Sequence, residues 1–472
     1  MTTRLVLTSA PVSIAARYGK FSGAASTQPS FGLACLAATA IHTGTETCIV
    51  EAAAQDLSIE QTLKELMDFH PDIVGISATT VGISAAWELS DRIKRISSDT
   101  IVIIGGPHVS ALPQESLSKC ASVDITVIGE GERTLEDILQ RFPEGPSALQ
   151  GIPGTVERQN ADIVVNEPRS FISDLDDLPL PAWSLLKGFP HAFRPSPARI
   201  KRWPCASLVF TRGCPNKCTF CDRSVFGQHC RAYSPARAVE MLKDLKDNHG
   251  VNEILIEDDT FIISKPRIEE FCKRIIEDNL QISWSCLGRA DRVDANLLKL
   301  MRRAGCWHIS YGIESGDPEI LKNVNKNLNI EQITNALEWS RTAGLRTKGF
   351  FMVGFPGETP QSIEKTINLA RHLPMDDISV MQLTPFPGTE LYNTVKDSKS
   401  FCGNWDRMNT LNTVFIPEDL SAHDIDQARA SIIKAFYTRP SVQIRNLVHI
   451  LQNPRLVPHM FRALPSLIKV IR

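Results

Sequence analysis

The sequence predicts an α/β protein with a doubly wound parallel-sheet domain first, a (β/α)6 barrel, partial or complete, second, and a helical C-terminal region. Three observations predict it. Short β-branched runs alternate with helical patterns from Arg4 to about Leu139, a second alternation of six units begins at Cys205, and ten of the 29 prolines fall between them in residues 143–204. Alternation of this kind is the pattern of a parallel sheet covered by helices.

In the first domain the expected strands are residues 5–8, 47–51, 72–76, 101–104 and 124–128. Helical spacing fills residues 31–42, 58–70, 84–97 and 134–141. A doubly wound sheet of this sort binds ligands beyond the C-terminal ends of its strands. The loops there are rich in small residues, and Ser77, Thr79, Gly105, Gly106, Gly129 and Glu130 stand in them. Residues 174–181 have no periodicity, so the proline-rich stretch reads as a linker packed between two domains. The second set of strands is expected at residues 206–210, 253–256, 283–286, 308–313, 347–352 and 378–383. A barrel of such units carries its site at the strand C-termini. The expected domains are therefore residues 1–142, the linker 143–204, the barrel 205–395 and the helical, basic region 396–472.

Composition narrows the function. The 472 residues are 43% hydrophobic and 22% charged, enough for a full core and at least two domains. Fifty-one Lys and Arg against 53 Asp and Glu give no positive field for gripping a nucleic acid. Twelve cysteines are too few for a disulfide scaffold of this length, and the N-terminus lacks a secretory pattern, so a reducing cytoplasm is expected. No apolar run approaches the roughly 18 residues that would span a bilayer.

The strongest chemical signal is a CxxxCxxC run, Cys214, Cys218 and Cys221, just after the first barrel strand. Three thiolates on one tight loop can hold three irons of a four-iron cubane and leave the fourth iron open to a substrate or cofactor. A structural zinc site or three unrelated core cysteines are the alternatives, but zinc wants four closed ligands and would have to recruit Cys205 or Cys230 at an odd spacing.

On these residues the second domain resembles the radical S-adenosylmethionine (radical SAM) enzymes, in which the three cysteines hold a [4Fe-4S] cluster. Phe220 matches the family's aromatic position before the last cysteine, where the backbone approaches the adenine. The resemblance implies that S-adenosylmethionine chelates the open iron and that one electron cleaves it to a 5′-deoxyadenosyl radical. Further residues stand where the strands end. Asp258 and Asp259 would accept from the methionine ammonium, or else form a solvated turn with a helix cap. Arg289 resembles the basic residue near the methionine carboxylate, with a surface ion pair as the alternative. Glu314 and Ser315 match the position that contacts ribose hydroxyls, and the loops holding Gly354 and Pro387 resemble those that flank the adenine.

A doubly wound module upstream of such a barrel resembles the Rossmann-like cobalamin-binding domain of one large class of these enzymes. That class includes hopanoid methylases, the anaerobic magnesium-protoporphyrin ester cyclase and antibiotic-pathway C-methyltransferases. The resemblance rests on the Pro29 to Gly32 entry, on Gly105-Gly106-Pro107-His108 and on Gly129-Glu130-Gly131-Glu132. One departure stands out. Of His42, His70 and His108, none lies in an Asp-x-His-x-x-Gly run, so no protein histidine is expected beneath the cobalt. A cobalamin-free descendant of the module is the alternative.

After Asp426 the chain has no acidic residue and eight Lys or Arg interleaved with aliphatic side chains. This suits an interfacial helix pair on an anionic membrane, or a basic helical cap packed on the barrel. Taken together, the expectation is a cobalamin-dependent radical SAM C-methyltransferase acting on an unactivated carbon of a hydrophobic or secondary-metabolite small molecule. An oxidative cyclase or ring-rearranging enzyme with the same cofactors is the first alternative, and a cobalamin or redox sensor the second. The expected partners are the substrate and a reductant such as flavodoxin or ferredoxin, with peripheral membrane contact through the basic region and no nucleic acid.

Overall fold

The computed structural model describes residues 2–452 apart from residues 20, 21, 23, 24, 161, 197 and 198. The first sheet has seven strands in the order β2-β1-β3-β4-β5-β6-β7. They are β1 Arg4–Ser9, β2 Glu46–Val50, β3 Ile73–Ser77, β4 Ile101–Gly105, β5 Ile125–Val127, β6 Thr155–Gln159 and β7 Asp162–Val165. The first five pair in parallel and read as apolar runs because helices cover both faces. The Phe31–His42 helix covers one face, burying Leu33, Ala34 and Ala37, and the Ile83–Ile96 helix covers the other. Strand order reverses beside β1, and the resulting crevice opens at the C-terminal ends of β1, β3, β4 and β5.

The proline-rich stretch is more structured than a linker. Strands β6 and β7 form an antiparallel hairpin that extends the first sheet from β5, turning at Asn160 in the left-handed region (φ 57°). Pro153 and Pro168 flank the hairpin without interrupting its ladder, so proline density misled the reading there. The remainder does wedge between the domains. Leu175, Leu178, Trp183, Leu186 and Phe193 are buried in one apolar core that runs from the first sheet into the barrel, and Trp183 stacks on Phe189 at 5.0 Å.

The second sheet is all parallel, in the order β15-β14-β13-β12-β11-β8. Its strands are β8 Cys205–Leu208, β11 Glu253–Ile256, β12 Ser283–Gly288, β13 Cys306–Glu314, β14 Arg346–Val353 and β15 Asp377–Gln382. Strands β8 and β15 are its two edges, so the barrel is a partial (β/α)6 barrel, as the radical SAM resemblance implies. The short strands β9 Thr211–Arg212 and β10 Arg231–Ala232 pair antiparallel and tie off the base of the cysteine loop.

The C-terminal helices Ala422–Tyr437 and Pro440–Gln452 pack where the barrel strands begin. Tyr437 donates to the Asp377 carboxylate, Arg346 reaches Asn446 Oδ1 at 2.9 Å, and Arg445 pairs with Asp376 at 3.0 Å. The rings of Trp307 and His449 stack 6.0 Å apart. One face of this region is thus a helical cap on the barrel; the last basic residues of the tail lie outside the described residues. Among the described residues no helix is long and apolar enough to cross a membrane.

Candidate active site between the two sheets

The cysteine loop is held at both ends and in the middle. Gly213 precedes Cys214 with φ 87°, and a Cβ there would collide with the carbonyl oxygens of His229 and Phe226, so only glycine lets the loop leave β9. Thr219 donates its amide to the Val324 carbonyl at 3.1 Å and accepts from the Leu391 amide at 2.9 Å. Arg223 donates to the Asn216 carbonyl at 2.6 Å, and Asn216 donates to Cys214 Sγ at 3.2 Å.

Cys218 is buried, Cys214 half-buried and Cys221 exposed. The Cys218 thiol is pulled down to about 6, chiefly by a hydrogen bond from Cys221 and further by the Lys326 and Arg289 cations. A loop that favours a thiolate beside two fixed cations suits a thiolate-ligated iron-sulfur body. A recruited fourth zinc ligand finds no support: Cys205 is sealed inside β8, and Cys230 Sγ faces Thr260 Oγ1 at 3.6 Å. Of the remaining cysteines, Cys272, Cys286 and Cys306 are buried, whereas Cys402 is exposed.

The strand ends place the other expected residues around this loop. Phe220 packs its ring 5.8 Å from Phe355. Arg289 is fixed by Asp291 at 3.0 Å and by the Lys326 carbonyl at 2.9 Å. Glu314, at φ 69°, holds Lys326 Nζ at 2.7 Å, and both side chains are buried. Gly312 makes room for that pair, since a Cβ there would stand 2.5 Å from Glu314 Oε1. A non-glycine residue held in the left-handed region costs about 1–3 kcal/mol and persists where the surroundings over-determine it. Ser315 is committed internally, accepting from the Asp317 amide at 3.1 Å and lying 3.2 Å from Thr366 Oγ1. The Gly354 amide donates to Glu358 at 2.5 Å, and the loop of Pro387 abuts Asp222 beside the cysteines through Gly388.

Two expectations need correction. Asp258 is fully buried, accepting from the Phe210 amide at 2.7 Å, so it braces the chain that follows β8 and is closed off from a ligand. Asp259 alone of the pair is exposed at the strand end. Burial pushes the Asp258 carboxyl up to about 7. A folded-state pKa above the unfolded value gives stability that is complete below about 4 and is lost as pH rises through about 7. Asp258→Asn keeps the acceptor for Phe210 and removes the titration. The difference in melting temperature between the parent and this variant, measured from pH 4 to 8, is expected to move in the variant's favour by the equivalent of a few kcal/mol.

The second correction concerns Thr79. A cavity of about 350 Å³ opens at the C-terminal ends of β1, β3, β4 and β5, lined by Ser77, Gly105, Gly106, Gly129 and Glu130 but not by Thr79. The chain turns into a helix just after Ser77, which swings Thr79 outward to solvent. Phe31 and Gly32 line the cavity too, and its lining contains no histidine. His108 is buried elsewhere, with Nδ1 3.3 Å from Thr80 Oγ1 and its ring against Trp405. The cavity walls are mainly aliphatic with a floor of glycines, which fits a large ligand held by apolar and backbone contact. Gly105 has an ordinary φ, and a Cβ there would meet Val127 at a comfortable 3.7 Å. Gly105→Leu is therefore expected to keep the fold within a few degrees of melting temperature while filling the cavity and losing most bound cobalamin, read from the visible absorption of the purified protein.

The far wall of the cavity is the barrel itself: Val209, Arg212, Val225 and Phe226, which flank the cysteine loop. Arg212 was not singled out as a site residue from sequence, and it is the centre of the interface. Its guanidinium reaches Glu130 at 3.0 Å and Glu132 at 2.6 Å, while Arg231 meets Glu130 at 2.8 Å and the Ile172 amide donates to Glu130 at 2.8 Å. Lys326 escaped notice too, standing in an Asn-rich turn that carries no chemical signature.

Comparison with known proteins agrees with this geometry. The B12 binding domain profile matches residues 23–139 and the radical SAM superfamily profile residues 208–370. An uncharacterized methyltransferase of Pyrococcus horikoshii is 31% identical over 423 residues, 89% of this chain and 90% of that one. The anaerobic magnesium-protoporphyrin IX monomethyl ester cyclase of Rubrivivax gelatinosus is 27% identical, over 84% of this chain and 72% of its own. Among solved structures, the radical SAM methyltransferase TsrM of Kitasatospora setae, with cobalamin and a [4Fe-4S] cluster bound, superposes with a TM-score of 0.71 at 16% identity, covering 93% of this chain and 90% of its own. The chain belongs to the cobalamin-binding radical SAM enzymes. Its cofactors are accordingly a [4Fe-4S] cluster, S-adenosylmethionine and cobalamin.

Proposed function

We propose that the enzyme transfers a methyl group to an unactivated carbon of a hydrophobic or secondary-metabolite small molecule. The observation that carries this reading is the shared wall: residues flanking the cysteine loop close the glycine-floored cavity, so the two cofactor sites face one another across a single interface. When bound, the cluster with S-adenosylmethionine supplies a hydrogen-abstracting radical, and cobalamin carries the methyl group.

The chain's own residues have separable tasks in this reading. Cys214, Cys218 and Cys221 ligate the cluster, and Lys326 and Arg289 balance the thiolate charge. Arg289 is also the residue available to a carboxylate of S-adenosylmethionine, and Asp259 to its ammonium. Phe220 and Phe355 give an apolar surface beside the loop, and the aliphatic cavity walls keep water from a reactive radical. A reductant such as flavodoxin or ferredoxin delivers the electron.

The test uses protein produced anaerobically with cobalamin and supplied with S-adenosylmethionine and reductant. Formation of both 5′-deoxyadenosine and S-adenosylhomocysteine is expected, because the two uses of S-adenosylmethionine leave different products. Deoxyadenosine without the homocysteine product would replace methyl transfer by cyclisation or rearrangement.

A further inference from the structure

The Pro440–Gln452 helix has two unlike faces. Its inner face is pinned to the barrel by Val442, Arg445 and Asn446, so it cannot rotate to hide the other. On the outer face Ile444, Leu447, Val448 and Leu451 recur at i, i+3, i+4 and i+7 and are 62, 56, 45 and 71% exposed. Among the large aliphatic and aromatic residues described, these form a run of exposure that the rest of the surface does not repeat; Ile41, Ile96, Val165 and Phe171 are scattered along the chain. An apolar stripe of this kind on a polar surface marks a contact.

We propose that this face docks on an anionic lipid surface. Charge selects the occupant: after Asp426 the sequence has no acidic residue and eight Lys or Arg, of which Arg455, Arg462, Lys469 and Arg472 follow the stripe outside the described residues. A basic sequence that follows an exposed aliphatic stripe suits lipid headgroups and acyl chains together. A second copy of the chain would bring like charges together, and four partly exposed aliphatic side chains offer roughly 400 Å², about half of what each partner of a stable complex buries. The active site would then be held at a membrane, where an apolar substrate is concentrated.

Flotation of the full-length holoenzyme with phosphatidylcholine vesicles, with and without phosphatidylglycerol, tests this. Flotation with the phosphatidylglycerol vesicles, weakened by salt, is expected. Substituting Ile444→Glu, Leu447→Glu and Leu451→Glu together should reduce the bound fraction at least about tenfold while leaving iron and cobalamin content unchanged. If that variant loses its cofactors, Leu447→Ser with Leu451→Ser takes its place and should show a reduction in the same direction. Absence of flotation, or equal flotation of the stripe variant, overturns the proposal, the latter pointing to a purely electrostatic polyanion site. A dimer that dissociates on the same substitutions, with no vesicle binding, overturns it in favour of a second copy.

Discussion

Cys218→Ala is expected to abolish the enzyme: iron should fall from about four per chain to less than one, and deoxyadenosine formation should stop. Cys218 is the buried member of the motif, and its thiol is pulled down to about 6 by the hydrogen bond from Cys221 and by the Lys326 and Arg289 cations. Its removal leaves two thiols on the loop, while Lys326 and Arg289 keep Glu314 and Asp291 as their counter-charges. The fold itself should survive, because the loop is clamped independently through Thr219, Arg223 and Gly213. Two controls separate chemistry from packing. Cys402 is exposed and its alanine variant should change neither iron nor stability. Cys286 is buried in the barrel core, so Cys286→Ala should lose about 1–2 kcal/mol of stability and keep its iron. Iron retained in Cys218→Ala would refute the ligand assignment.

Much of the architecture was legible because periodicity reports it directly. The Phe31–His42 helix and strand β11 fall where the spacing puts them, and the other five barrel strands are each displaced by only a residue or a few. The β6–β7 hairpin was not legible, since its short strands sit among prolines whose effect depends on whether they fall inside a ladder or beside it. At the site, the cysteines announce themselves by spacing and the glycine loops by composition. What sequence cannot show is the direction of a carboxylate. Asp258 and Asp259 are adjacent and alike, yet in the turn after β11 the first is buried and accepts from the Phe210 amide while the second is exposed. Glu130 stands in a loop that predicts ligand contact, but its oxygens are taken by Arg212, Arg231 and the Ile172 amide. Those partners are 42 to 101 residues away in the chain, a pairing that only the folded interface creates.

That interface sets the second large effect. Arg212→Met is expected to destabilise the protein by about 3–5 kcal/mol, because it leaves buried carboxylates without their cation. The two acids differ in what remains. Glu130 retains Arg231 and the Ile172 amide, whereas Glu132, 5% exposed, loses the one ion-pair partner it has among the described residues. The loss should therefore be traced mainly to Glu132, and Arg212→Met combined with Glu132→Gln should recover a large part of it, since replacing a buried ion pair together costs far less than breaking it. The functional consequence should exceed the stability consequence. Arg212 lines the cavity of the first domain and stands two residues before Cys214, so its loss loosens the wall between the cavity and the cysteine loop. Thermal unfolding, iron content and cobalamin content measured on the same samples decide the matter: the single variant should lose cobalamin and iron together at temperatures where the double variant retains both. If the single variant unfolds like the parent, the buried ion pairs do not hold the domains in register.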